Sequence, residues 1–317
     1  MEIPRKEKFE QAYKRVTGLG HGTPILTSST FDEMTGAHLF FKGENFQKAG
    51  AFKFRGAVNS VFSLSKEEAP RGVATHSSGN HAQALALAAR LRGIPATIVM
   101  PETAPRVKVD AVRGYGARIV FCPPTLEDRE RYLDQVVEET GAVFIHPSND
   151  LRVIVGQGTA AMELLEQVEE LDYVLTPVGG GGLISGTALA VHYFSPETRV
   201  IGAEPAAADD AYRSFRAGRI LYPENPQTVA DGLKTSLGSN TFPIIRKHVQ
   251  DIVLVEEKEI IGAMKLAWER MKVVIEASAA VPVAALLYDK LPASLVKGKR
   301  IGVILSGGNV DLDKLPW

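Results

Sequence analysis

Lys53 lies in the run Glu44-Asn45-Phe46-Gln47-Lys48-Ala49-Gly50-Ala51-Phe52-Lys53-Phe54-Arg55-Gly56-Ala57, between two phenylalanines. An apolar setting penalises the charged ammonium, lowers its pKa and leaves a nucleophilic amine. Three turns downstream share a glycine-and-polar character: Ser77-Ser78-Gly79-Asn80-His81, Pro177-Val178-Gly179-Gly180-Gly181-Gly182 and Ser306-Gly307-Gly308-Asn309. Successive backbone N–H groups with no Cβ in the way can wrap a phosphate, and a helix N-terminus behind them adds positive potential. A lysine amine, a phosphate nest and two polar turns together describe a pocket for an aldehyde that carries a phosphate, held on the lysine as a Schiff base.

Taken singly, each motif has a plainer reading. Lys53 could lay its stem along apolar surface with its head in water. The four glycines could form a tight turn; they match neither the dinucleotide fingerprint nor the P-loop pattern. Ser78 could cap the helix that starts at Gly79. Asn80, His81 and the strand-ending His76 and His146 could be structural. One further segment, Glu204-Pro205-Ala206-Ala207-Ala208-Asp209-Asp210, sets two carboxylates apart with carbonyls between them. That suits a hard cation, and equally a helix with acidic residues in its first turn.

Strands must deliver these turns to one place. Apolar, β-rich runs at residues 38–41, 72–75, 96–100, 118–121, 143–145, 173–177, 200–203 and 301–305 alternate with helical patterns, one starting near Lys53, one over 79–91 and one from about Pro105. Repeated β-α units predict an α/β protein with open, mostly parallel twisted sheets and flanking helices. In such sheets ligands sit beyond the carboxyl ends of strands. The three polar turns follow the runs at 72–75, 173–177 and 301–305.

Composition narrows the classes. The 317 residues include 36 lysines and arginines against 37 aspartates and glutamates, so no basic excess points to nucleic acid. A hydrophobic fraction of 45% with 23% charged residues is ordinary for a soluble globular chain. Cys122 is the only cysteine, which excludes an intrachain disulfide and a zinc ribbon. The start, Met1-Glu2-Ile3-Pro4-Arg5-Lys6, does not read as a signal peptide, and a cytosolic protein is expected. Residues 173–196 carry no formal charge, yet Pro177 and four glycines interrupt them; a strand, a turn and a buried helix are predicted there, with no membrane span.

Together these segments resemble the serine racemase and serine/threonine dehydratase family, pyridoxal-phosphate enzymes of fold type two with the tryptophan-synthase-β-like pair of sheets. The resemblance runs from Thr23-Pro24 to Asn309-Val310-Asp311-Leu312. It implies that Lys53 is the Schiff-base lysine, that Phe52 packs on the ring of pyridoxal 5'-phosphate, that Asn80 bonds the ring hydroxyl, that Gly179, Gly180, Gly181 and Gly182 hold the phosphate, and that Ser306 meets the pyridine nitrogen. Ser78 aligns with the serine on the face opposite the lysine, with Ser77 and His81 beside the substrate. Glu204, Asp210 and the Ala208 carbonyl match the family's site for a divalent cation such as Mg, Ca or Mn. Residues 1–71 and 149–317 are expected to form a large cofactor domain, and 72–148 a small mobile one that closes over the substrate.

Some positions depart from the family pattern. Ala51 stands where serine is common, Ala82 where glycine is common, and Ser148-Asn149 where mammalian-type racemases place asparagine first. The Gly-Ala-Phe-Lys-Phe-Arg-Gly run and the ending Asn309-Val310-Asp311-Leu312-Asp313-Lys314-Leu315-Pro316-Trp317 look like the 3-hydroxyaspartate ammonia-lyase branch. The expected reaction is loss of water from a β-hydroxy-α-amino acid (3-hydroxyaspartate, L-serine or L-threonine) to give a 2-oxo acid and ammonia, with racemisation as the alternative. Arg129, assisted by His76, is the candidate partner for a second carboxylate. A cysteine-synthase-like transferase and a non-catalytic amino-acid-binding protein are the competing classes. A homodimer is expected; a nucleotide effector has no support in the sequence. No regulatory domain is expected after Trp317.

Overall fold

The computed structural model describes residues 3–104 and 106–317, without the side chain of Val107. Pro105, the expected helix start, and Met1-Glu2 lie outside the described residues. In chain order the elements are α1 (Lys6–Thr17), β1 (Ile25–Leu26), α2 (Ser29–Thr35), β2 (His38–Gly43), α3 (Lys53–Phe62), β3 (Val73–His76), α4 (Asn80–Arg92), β4 (Ala96–Pro101), α5 (Arg106–Gly114), β5 (Arg118–Cys122), α6 (Leu126–Thr140) and β6 (Val143–Phe144). They continue with α7 (Leu151–Gln167), β7 (Tyr173–Pro177), α8 (Gly182–Phe194), β8 (Arg199–Pro205), α9 (Asp210–Ala217), α10 (Thr241–His248), β9 (Asp251–Val255), α11 (Glu257–Met271), α12 (Ala277–Leu287) and β10 (Arg300–Leu305).

The strands form two sheets, as the β-α alternation requires. One has six strands in the order β1-β2-β10-β7-β8-β9, parallel except for the antiparallel β1–β2 pair. The other has four parallel strands in the order β5-β4-β3-β6. Strand β10 is wedged between β2 and β7, with Ile301 opposite Leu39 on one side and Tyr173 on the other. The turn after β10 and the glycine turn after β7 therefore leave the sheet side by side. Two strands lie outside the expected set. β1 is too short for an alternating pattern, and β9 is an edge strand paired on one side only.

Apolar burial follows the layers. Phe31, Leu39, Phe41, Leu175, Val281 and Val303 belong to one cluster of the six-stranded sheet and its helices. Phe54, Val58, Leu85, Ile98 and Ile145 form a second that joins α3 to the four-stranded sheet. Helix α3, which begins at Lys53, is held against α7 by two facing glycines. A Cβ on Gly156 would lie 2.6 Å from Gly56 Cα and 2.7 Å from Arg55 O, so only glycine permits this approach.

A buried ionic cluster fixes the same helix. Arg55 Nε and Nη2 donate to Glu44 at 2.7 and 2.8 Å, and Nη1 donates to Glu163 at 3.0 Å. Lys42 Nζ donates to the other Glu163 oxygen and to Thr23 O, both at 2.7 Å. Residues 173–196 form β7, the glycine turn and α8, and among the described residues no helix is long and apolar enough to cross a membrane.

Candidate active site

Backbone pairing brings the lysine run onto the last polar turn. Ala51 and Gly307 form an isolated antiparallel bridge, Phe52 N donates to Ser306 O at 3.0 Å, and Gly308 N donates to Gly50 O at 2.9 Å. Lys53 opens α3 next to that junction. Its Nζ donates to Pro147 O at 2.9 Å, across to the loop that follows β6, and lies 5.1 Å from the centre of the Phe52 ring. Burial lowers the Lys53 pKa to about 8, against the opposing pull of the Glu276 carboxylate. The amine is thus turned inward against Pro147 and Phe52.

The tetraglycine turn is buried throughout and runs into α8. Gly181 has φ +82°, and a Cβ there would meet Leu237 and Thr241 at 2.8 Å. A Cβ on Gly180 would lie 2.4 Å from Ser148 Oγ. Glycine is needed for conformation at one position and for space at the other. The N–H groups of Gly179, Gly180 and Gly181 have no acceptor among the described residues, although buried backbone donors are almost always paired. These orphaned donors at a helix N-terminus fit a phosphate.

The Ser77–His81 turn sits at the end of β3. Helix α4 has Gly79 as its N-cap and no side-chain cap, so Ser78 does not take the capping role. The Ser78 hydroxyl has no protein partner among the described residues, and Ser77 Oγ accepts from Gly79 N at 3.3 Å. Asn80 is more engaged than expected: Nδ2 donates to both Glu276 oxygens at 2.9 and 3.1 Å, and Oδ1 accepts from Asn309 Nδ2 at 2.9 Å. His81 is buried with Nε2 3.2 Å from Ile145 O, and its Nδ1 has no partner. Ser306 is buried and makes no side-chain hydrogen bond within the described chain.

Three histidines near the lysine are held neutral. Burial brings His76 to about 4, helped by His146 and Arg129, and brings His146 to about 4, helped by Lys53. Burial and Lys53 hold His81 well below the ordinary value. His146 Nδ1 accepts from Ser148 N and Asn149 N at 3.1 and 2.9 Å, which places its proton on Nε2. Arg129, half-buried on α6, donates from Nε to Thr125 O at 3.3 Å and has no ion pair among the described residues.

The acidic segment lies at the end of β8, the neighbour of β7. Glu204 is fully buried; its oxygens accept from Ala211 N at 2.9 Å and Tyr212 N at 2.7 Å, so it serves the start of α9 as one reading foresaw. Both oxygens of the buried Asp210 lack any hydrogen-bond partner. Burial raises the Glu204 pKa well above the carboxylate range and brings Asp210 to about 7. No group of three or more His, Cys, Asp or Glu that could hold a metal ion occurs among the described residues. What this segment offers a hard cation is the pair of Asp210 oxygens that have no partner among the described residues, beside the buried Glu204.

Sequence reasoning missed Glu276, which touches Asn80 and donates its own N–H to Gly307 O at 2.9 Å. The one signal was its isolation in the apolar run Ile275-Glu276-Ala277-Ser278-Ala279-Ala280.

A reactive lysine, an orphaned N–H nest and unpaired hydroxyls at the carboxyl ends of parallel strands define a cofactor enzyme of the pyridoxal-phosphate class. Residues 16–307 match the family model described as pyridoxal-phosphate dependent enzyme, and the chain belongs to that family. It is 54% identical over 317 residues to beta-hydroxyaspartate dehydratase of Paracoccus denitrificans (strain Pd 1222), covering 100% of both chains. It is 50% identical over 309 residues to serine racemase of Dictyostelium discoideum, covering 97% of this chain and 95% of that one. The solved structure of maize serine racemase superposes with a TM-score of 0.96 at 47% identity, over 98% of this chain and 95% of that one.

Proposed function

We propose that this enzyme is a lyase that removes water from a β-hydroxy-α-amino acid, with 3-hydroxyaspartate as its preferred substrate, to yield a 2-oxo acid and ammonia. The observation that carries the reading is the Lys53 amine, with its lowered pKa, set among strand ends whose N–H groups and hydroxyls have no partner among the described residues. The 54% relative supports the choice of substrate.

Lys53 holds pyridoxal phosphate, the N–H groups of Gly179, Gly180, Gly181 and Gly182 hold its phosphate, and Phe52, Asn80 and Ser306 hold its ring. When bound, that ring supplies an electron sink for charge developing at the substrate Cα. The free Lys53 amine would take the substrate α-proton; a pKa of about 8 suits an amine that must alternate between base and acid at neutral pH. The β-hydroxyl then leaves as water with the proton that Lys53 has taken up, and hydrolysis of the released enamine gives the 2-oxo acid and ammonia. Ser306, a buried neutral hydroxyl, would meet the pyridine nitrogen without supplying a charge to it. Residues 72–148 act as a closing domain, a reading supported by the contacts that reach from them to the rest of the chain: Pro147 O to Lys53, Asn80 to Glu276, and Lys108 to Asp231 at 2.7 Å. Glu204, Asp210 and Ala208 O hold Mg, Ca or Mn.

A β-carboxylate needs a cation within the cleft. Arg129 has no ion pair and lies near enough to His76 to lower its pKa. A bidentate arginine–carboxylate contact is worth roughly 1.5–3 kcal/mol, about ten- to a hundredfold in specificity. Arg129→Ala is therefore expected to cut kcat/KM for 3-hydroxyaspartate by that factor more than for L-serine. Equal losses on the two substrates would remove Arg129 from the site.

Racemisation is the second reading, favoured by the Ser78 hydroxyl, which the chain leaves unpaired. Proton return from the face opposite Lys53 would need it. Ser78→Ala is expected to suppress racemisation more than elimination, measured as D-serine against pyruvate from L-serine; parallel loss would give Ser78 a positioning role only.

A further inference from the structure

We propose that Glu276 is a positioning residue that acts through Asn80, fixing which end of the Asn80 amide is offered to the cofactor ring. The inference rests on the assignment of Asn80 to the ring in the proposed function and identifies what makes Asn80 fit for it.

Glu276 immediately precedes α12 and is buried. In its ionised form the Glu276 carboxylate only accepts hydrogen bonds, and Asn80 turns its Nδ2 towards it. The other side of the amide faces Asn309 Nδ2, a donor anchored on Ala49 O at 2.8 Å, so that side must be the oxygen. Turning Asn80 over would set oxygen against oxygen and nitrogen against nitrogen. The amide is therefore bracketed into one orientation by two groups of opposite character.

Glu276 is itself over-determined. Its Oε2 accepts from Asn309 N at 3.2 Å, and its backbone N–H is tied to Gly307 O. A Cβ on Gly307 would lie 2.9 Å from Oε1, so the carboxyl is pressed against the turn that begins at Ser306. One side chain thus joins the turn after β3 to the turn after β10, the two assigned to the ring. Burial raises its pKa to about 7, opposed by the Asn80 hydrogen bond and Lys108 and reinforced by Asp231. Its charge also supports that of Lys53. A glutamine in its place would retain the shape but bring an NH2 group against Asn80 or the Asn309 N–H.

The test strips the purified holoenzyme of cofactor and titrates pyridoxal phosphate back, reading the dissociation constant and the absorbance maximum of the bound form. Glu276→Gln is expected to weaken binding about tenfold, because a buried donor loses its acceptor, and to shift the absorbance maximum. Glu276→Asp should retain part of both. Asn309→Ala removes only the opposite half of the bracket and is expected to shift the spectrum in the same direction; it serves if Glu276→Gln does not fold. Affinity and spectrum identical to wild type in a folded variant would overturn the inference. A wild type that takes up no pyridoxal phosphate overturns both this inference and the proposed function; a wild type that does, with indistinguishable variants, overturns this inference alone.

Discussion

Two buried charge clusters in this protein have opposite outcomes. Around α3, Lys42 and Arg55 face Glu44 and Glu163, and hydrogen bonds from Thr23 and to its backbone complete the set. Burial works against the charge on Arg55, and the two glutamates more than offset it; for Glu163, Arg55 and Lys42 win in the same way, and only at Lys42 does burial outweigh its partners and lower the pKa. At the end of β8, Glu204 and Asp210 are as deeply buried with no ion pair among the described residues; Arg213 pulls against the rise at Asp210, and burial still wins. The first cluster is complete within the chain and holds the helix that carries Lys53. The second has no such completion among the described residues, and both Asp210 oxygens lack a hydrogen-bond partner there. A buried charge is affordable when paired and hydrogen-bonded, and otherwise gives up its charge or recruits a counter-ion.

The comparison breaks most severely at Arg55. Arg55→Ala strands Glu44 and Glu163, and a loss of about 3–5 kcal/mol in unfolding free energy is expected. Chemical denaturation measures it; a loss under 1 kcal/mol would mean that water or a rearranged Lys42 replaces the guanidinium.

The acidic cluster should respond in the opposite sense. Saturating magnesium or calcium is expected to stabilise the chelator-treated protein by about 2.7 kcal/mol at a hundred times the dissociation constant. Under chelation Asp210→Asn should equal or exceed wild type in melting temperature, with a gap that depends on pH. Folded Asp210 keeps its proton to about pH 7, whereas in the unfolded chain it releases it near pH 3.9. Its contribution to stability is present below the lower value and lost as pH rises to about 7, so the variant's advantage should grow across that window and then level off. Bound cation should remove the trend. A gap independent of pH and cation would separate Asp210 from any ion site.

What the sequence made legible was local. Lys53, Gly179–Gly182, Ser306 and Ser78 stand in contiguous motifs whose chemistry depends on neighbours a few residues away. The α/β architecture followed from alternating runs, and residues 173–196 resolved into β7, the glycine turn and α8 as expected. What escaped was pairing at a distance. Arg55 meets Glu163 across 108 residues and Asn80 meets Glu276 across 196, and neither composition nor periodicity encodes such meetings. Arg55 lay within the lysine run and was read only as motif. Glu276 differed from its neighbours in charge alone. Asn80 stood in a contiguous motif, while the bracket that orients it needed coordinates.

Release of 2-oxo acid and ammonia from 3-hydroxyaspartate by the purified holoenzyme, beside Lys53→Ala, tests the account most directly. Wild type should release the two products in equal amounts, faster than from L-serine at equal concentration, and Lys53→Ala should release neither while losing the absorbance of lysine-bound cofactor. No 2-oxo acid from the wild type, or turnover and absorbance surviving in Lys53→Ala, would contradict it.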